Sequence, residues 1–244
     1  MFWEKAHNRH QYSVNGVSSH IINFVNEALH NHQVYGTSVK IFESGAGCGR
    51  NILYSKTILN NRAKYFATDI SPSALDQIVC LQIEKLVADM RDGPVKSNFI
   101  THAISWRCLH CLDSKGRREA LNEKRRIITP HGSLLLAVRS NEDFHYGYGE
   151  QTEPGSFAIV DQSQNPPGLI FYGTLPPSSW HYFHPRELTN LLEQSGFYVK
   201  SINHLTESPG TFKYQGVKNS YWGVRAIRER RDMLWTGVSF NLNS

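Results

Sequence analysis

The stretch "VKIFESGAGCGRNILYSKTIL", residues 39–59, decides how this chain is read. An apolar run stops at Glu43. Glycines follow at 45, 47 and 49, and a polar–apolar pattern then resumes with helical spacing. Glycines permit unusual backbone angles and close approach, and the first turn of a helix offers unsatisfied N–H groups. A strand, a glycine turn and a helix N-terminus together form a nucleotide site. A dinucleotide loop spaces its glycines GxGxxG and seats a pyrophosphate on the helix end. Here the spacing is GxGxG, and an acid stands two residues before the first glycine. That acid suits a cation near the loop, as in S-adenosylmethionine, which carries an ammonium and a sulfonium and no phosphate.

Outward from the loop the chain alternates. "VKIFES", "KYFATDI", "LVADM", "NFITHAIS" and "GSLLLAVRS" read as strands. Between them "GRNILYSKTILNN", "SPSALDQIVCLQIE" and "SKGRREALNEKRRII" read as helices, the second with Ser71 as N-cap and Pro72 at its first position. Strands alternating with helices imply right-handed crossovers and a parallel sheet, so the class is α/β. The turn "TPHG" enters the fifth strand. Residues 140–183 break the rhythm with Gly, Pro, Tyr and Phe. Regularity returns in the helix "HPRELTNLLEQSG" and the strands "FYVKSINHL" and "SYWGVRAIR". Upstream, "SSHIINFVNEALHNH" has helical apolar spacing with Ser18 or Ser19 as its cap.

Asp69 ends the second strand twenty residues after Gly49, where a carboxylate can accept both ribose hydroxyls, a trick that NAD sites share. Asp89, in "VADMRD", is placed to accept from an adenine amino group, with Met90 against the ring face. "ESGAGCGRN", "ATDISPSAL", "VADM", "LHCLD" and "IITPHGSLLL" occur in order and at the usual spacing. Together they resemble the successive motifs of class I S-adenosylmethionine-dependent methyltransferases. "GCGRNILY" and "DISPSAL" are similar to the small-molecule, tellurite-resistance-type branch. Ser44, where aspartate or leucine is commoner, and "TPHG", in place of Pro-Gly-Gly, depart from the pattern. The resemblance implies a Rossmann-like, seven-stranded, mostly parallel sheet with helices on both faces and one antiparallel strand, within one domain spanning 1–244. It implies S-adenosyl-L-methionine as cofactor, held by Glu43, Gly45, Gly47, Gly49, Asn51, Asp69, Ile70, Asp89, Met90 and Ser105.

Methyl transfer is an in-line displacement, so alignment in a dry site does most of the work, and a base is needed only for a protonated acceptor. Candidates for that base are His110, His145 and Tyr148. His110 is also placed to be a packed structural side chain. Trp106, Arg139, Tyr146, Phe171 and Trp180 are candidates for the acceptor pocket. The aromatic insertion points to a small, partly apolar or cationic acceptor with N, O or S as nucleophile. Residues 1–35 are expected to hold a lid. A cofactor-binding module without catalysis, and a nucleic-acid or protein methyltransferase, are the alternatives.

Composition narrows the field. The 244 residues carry 26 Lys and Arg against 21 Asp and Glu, a dispersed +5 that makes no case for nucleic acid. The densest basic run, "KGRREALNEKRR", has interleaved acids and reads as a solvated helix face. No apolar span reaches membrane length and the N-terminus has no secretory pattern, so no membrane partner and a cytoplasmic location are expected. Four cysteines make no disulfide framework, and the Cys108–Cys111 pair has no second pair to complete a zinc site; no metal is expected.

Overall fold

A computed structural model describes residues 17–36, 38–158, 179–207 and 219–229. Its centre is a seven-stranded sheet of order β3-β2-β1-β4-β5-β10-β9. The strands are β1 (Val39–Ser44), β2 (Ala63–Asp69), β3 (Ile83–Val87), β4 (Ile100–Trp106), β5 (Ile128–Arg139), β9 (Phe197–Glu207) and β10 (Asn219–Arg228). β1 pairs in parallel with both β2 and β4, and β10 alone runs antiparallel, between β5 and β9. The order reverses between β1 and β4, and crevices of α/β sheets open at that switch point.

Neighbouring residues of a strand face opposite sides, and the central strands are apolar on both because both sides are covered. On one face Ile41, Ala67, Ile104 and Leu135 pack with helices α1 (Ser19–Tyr35) and α2 (Arg50–Leu59). On the other, Phe42, Phe66, Ala103 and Leu134 pack with α4 (Ser114–Ile127) and α5 (Pro185–Gln194). Helix α1 is capped by Ser18, whose side chain accepts from the His20 amide, and it buries Ile21, Phe24, Val25 and Ala28. Of the expected lid segment, 19–35 is thus a helix packed on the sheet, while 1–16 lies outside the described residues.

Three boundaries differ from the sequence reading. The helix opened by Ser71 and Pro72, α3, stops at Asp76, because Ile83 is taken up by pairing with Tyr65. β3 therefore ends at Val87, and "ADM" turns away from the sheet, with Asp89 bridging to Asp92. "TPHG" is no turn: β5 runs through it with a register shift against β4 and His131 at φ 62°. Part of the insertion builds an antiparallel annex of β6 (Glu150–Glu153), β7 (Ser156–Ala158) and β8 (Ser179–His181). The Ser220 amide donates to Asp143 at 2.7 Å and the Trp222 indole donates to the Phe183 carbonyl at 2.9 Å, which ties the annex to β10.

Candidate active site

Beyond β1 the chain turns through the glycines into α2. Gly45 has φ 65°, and a Cβ there would fall 2.1 Å from Cys108 Sγ, so no other residue fits. The Glu43 carboxylate accepts from Asn51 Nδ2 at 2.7 Å and from the Ile52 amide at 3.0 Å, which satisfies the opening turn of α2. Burial pushes its pKa up to about 7 against those hydrogen bonds. Asp69 accepts from the Gly47 amide through Oδ2 and from the Ser71 amide through Oδ1, each at 2.9 Å. The ends of β1 and β2 and the glycine loop are thereby locked into one rim.

That rim borders a cavity of about 440 Å³. Glu43, Gly45, Gly47 and Asn51 line one end; Asp69, Ile70, Ala88, Asp89 and Met90 line the other. Asn51 Oδ1 is buried without a hydrogen-bond partner among the described residues. Asp89 is half exposed and bound to Arg91, which donates Nε to Oδ1 at 2.9 Å and Nη2 to Oδ2 at 2.7 Å. Those hydrogen bonds hold Asp89 below the usual carboxylate range and leave Oδ2 a lone pair for a further donor. Beneath the turn, Lys124 donates to the Met90 carbonyl at 3.2 Å, and burial lowers its pKa to about 8.

The cavity continues along the end of β4, where Trp106, Arg107, Cys108 and Cys111 line it. Trp106 is both wall and core residue. Arg107 has φ 62°, and its guanidinium lies 4.2 Å from the centre of the Tyr221 ring. Burial pushes the Cys108 thiol well up and the Cys111 thiol to about 12, so both stay protonated. Among the described residues no three His, Cys, Asp or Glu side chains gather where they could hold a metal ion.

Residues 41–132 match the family model of a methyltransferase domain. Over that stretch the chain is similar to methyltransferase domains. Its fold is that of a structure described as an S-adenosylmethionine-dependent methyltransferase from Methanosarcina mazei, at 19% identity and a TM-score of 0.63, covering 82% of this chain and 96% of that one. It is also similar to 1,6-didemethyltoxoflavin-N1-methyltransferase of Burkholderia thailandensis, solved with 1,6-didemethyltoxoflavin and S-adenosylhomocysteine (15% identity, TM-score 0.54, covering 84% and 77%). A third is a putative S-adenosylmethionine-dependent methyltransferase of Listeria monocytogenes (12%, TM-score 0.59, covering 87% and 99%). A search of curated protein sequences finds no match.

S-adenosylmethionine is the cofactor expected of such a domain, and the residues present fit it. Asn51 Oδ1 and Glu43 offer acceptors for an ammonium, and Asp69 and Asp89 keep lone pairs at the rim. Apolar Ile70, Ala88, Met90 and Leu112 wall the same space.

Other residues singled out from the sequence lie off the cavity. Gly49 starts α2 at φ 80° with Ile78 behind it, and Ser105 is buried in β4. His110 is buried in the turn 109–111, and burial drives its pKa well below the ordinary value. His145 is pinned by Asp143, with Nδ1 at 2.8 Å from Oδ1. Tyr146 and Tyr148 are exposed on the annex, Tyr148 stacked on Phe144. Trp180 lies 4.3 Å from the Arg139 guanidinium, and Phe171 falls outside the described residues. The sequence reading overlooked Arg107 and Lys124. It also took "KGRREALNEKRR" for a solvated face, whereas Arg117, Glu123 and Lys124 are buried. Arg117, Ala120, Leu121 and Lys124 stand at helical spacing on one stripe, a signal that was there to be read.

Proposed function

We propose that the protein is an active S-adenosylmethionine-dependent methyltransferase for a small-molecule acceptor, of the tellurite-resistance-type branch that its motifs resemble. The carrying observation is one cavity that joins the Glu43–Asn51 end, the Asp69–Asp89 rim and the end of β4. When bound, S-adenosylmethionine would supply an electrophilic methyl carbon on a sulfonium leaving group, for the acceptor's lone pair. Glu43 and Asn51 hold the ammonium, and Asp69 takes the ribose. Trp106 walls off water where the acceptor meets the methyl group. Alignment by these fixed groups carries the acceleration.

No histidine lines the cavity among the described residues, so none stands ready as a base: His110 is buried off it and His145 is engaged by Asp143. That favours an acceptor that arrives with its lone pair already free. A cavity of this size suits a small acceptor, in agreement with a +5 charge too dispersed for nucleic acid. The test is release of S-adenosylhomocysteine over a panel of amines, phenols, thiols and carboxylates. Turnover with a small molecule, lost in Asp69→Ala, is the expected result. Binding of S-adenosylhomocysteine with no turnover on any class would reject the catalytic reading.

A further inference from the structure

We propose that Lys124 is a positioning residue for cofactor recognition: from beneath the cavity it fixes the Asp89–Met90 turn in the shape that selects adenine over hypoxanthine. The inference rests on the S-adenosylmethionine reading of this cavity and adds what sets the shape of its adenine end.

The turn is held from outside the sheet. β3 ends at Val87, and the Ala88 amide makes a last tie to β2, donating to the Asp69 carbonyl at 3.0 Å. Asp89, Met90 and Arg91 then line the cavity, with Asp89 bridging to Asp92. The further anchors come from α4. The Glu123 carboxylate accepts from the Gly93 amide at 3.1 Å, and Arg126 Nη2 donates to the carbonyls of Gly93 at 3.1 Å and Val95 at 2.7 Å. Those bonds hold the stretch that follows the turn. Of the described α4 side chains, Lys124 is the one that hydrogen-bonds the part lining the cavity: its Nζ donates to the Met90 carbonyl at 3.2 Å.

An ammonium is a costly group to keep in that place. Lys124 is 2% exposed, and around it stand Glu123, the Cys108 thiol, Asp89 and the Phe42 ring of β1, whose centre lies 5.4 Å from Nζ. Glu123 is taken by Arg126, at 2.6 and 2.7 Å, and Asp89 by Arg91. The Met90 carbonyl is thus the one hydrogen-bond acceptor of Lys124 among the described residues. On the same helix Ala120 and Leu121 join the core without polar atoms. An apolar side chain at 124 would do the same and remove a buried charge, an exchange that is often neutral or stabilising. The ammonium therefore points to a use for the turn it grips.

That use is the choice of base. Asp89 Oδ2 keeps a lone pair for the amino group of adenine. Hypoxanthine carries a carbonyl oxygen at that place and would meet the carboxylate with an acceptor. Lys124 serves the choice twice. It fixes the Met90 backbone, and with it the side chain that faces the ring. Its charge also adds to the hydrogen bonds of Arg91 in keeping Asp89 ionised. The grip depends on the proton: burial lowers the Lys124 pKa to about 8, so the charge fades as pH rises through that value.

The test is calorimetry on the full chain. At neutral pH the wild-type protein should bind S-adenosylhomocysteine about tenfold or more tightly than S-inosylhomocysteine. Lys124→Met should bring the two close to parity. 5′-Methylthioadenosine lacks the amino-acid group and has nothing that titrates above neutral pH, so it reads Lys124 without the ammonium end. Its affinity for the wild-type protein should fall several-fold from about pH 7 to about 9.5, and in Lys124→Met it should stay level. A merely structural lysine would move neither the base preference nor the profile. The wild-type profile decides even if the variant does not fold. A level wild-type profile, or no binding of methylthioadenosine where S-adenosylhomocysteine binds, would overturn the proposal. So would a Lys124→Met variant that keeps the full preference, or a wild-type protein that binds both nucleosides equally, since the turn would then select nothing. Failure of the wild-type protein to bind S-adenosylhomocysteine would instead bring down the methyltransferase reading, and this inference with it.

Discussion

Glu43 does two jobs with one carboxyl group: it caps α2 through the Ile52 amide, and it faces the cavity where an ammonium would lie. Burial raises its pKa from 4.5 to about 7. A folded-state pKa above the unfolded one means that the native protein binds more protons between those values. Glu43 thus adds stability that is complete below about pH 4.5 and is lost as pH rises through about 7. A bound ammonium reverses the preference by favouring the ionised form. S-adenosylhomocysteine should therefore bind with release of a proton below pH 7, and affinity should fall several-fold from pH 7.5 to 5.5. Calorimetry in buffers of different ionisation enthalpy reads the proton count, and Glu43→Gln should flatten the profile. An unchanged profile in that variant would remove Glu43 from the ammonium site. Asp69→Ala removes the acceptor for both the Gly47 and Ser71 amides. It should weaken S-adenosylhomocysteine by about 1.5–3 kcal/mol, the worth of a hydrogen-bonded charged group left unmade. Affinity within twofold of wild type would show that the rim holds without it.

At the scale of elements, the strand–glycine–helix unit was legible because each of its parts has a local cause. β1 spans the six residues that its apolar run marks, and Ser71 caps α3 as its position before Pro72 requires. What was not legible depended on partners distant in sequence. α3 is cut short by the pairing of Ile83 with Tyr65, and Asp89 is claimed by Arg91, which no strand pattern reveals. Tyr146 and Tyr148 are exposed, and the Arg139 guanidinium meets the ring of Tyr221 on β10, some eighty residues away. Gly49 tests the unit physically. Gly49 and Gly147 have nearly the same φ, 80° and 83°, but a Cβ at Gly49 would lie 2.7 Å from Ile78 Cγ1, while at Gly147 nothing lies within 4 Å. Both alanine variants carry the left-handed penalty of about 1–2 kcal/mol. Gly49→Ala adds overpacking of about 1–3 kcal/mol. Denaturant unfolding should place it below Gly147→Ala by that difference, and equal stabilities would mean that Ile78 yields freely.

For the whole molecule, the order 3-2-1-4-5-10-9 brings the ends of β1, β2 and β4 to a single edge, although residues 43, 69 and 106 are far apart in sequence. No strand alone makes the site; the switch point does. A ligand bound there bridges the glycine loop, the β2 rim and the β4 end, so it should stabilise the fold as one unit. At a concentration one hundred times its dissociation constant, a ligand that binds only the native state adds about 2.7 kcal/mol. For a chain of this size each kcal/mol shifts the midpoint by roughly 2–4 °C, so S-adenosylhomocysteine should raise Tm by about 5–10 °C. NAD should not, because Glu43 and the GxGxG spacing offer nothing to a pyrophosphate. Differential scanning calorimetry with each ligand separates the readings. A rise with NAD and none with S-adenosylhomocysteine would reassign the cavity to a dinucleotide, whereas a rise with S-adenosylhomocysteine that vanishes in Asp69→Ala would tie the stabilisation to the rim where β1 and β2 end.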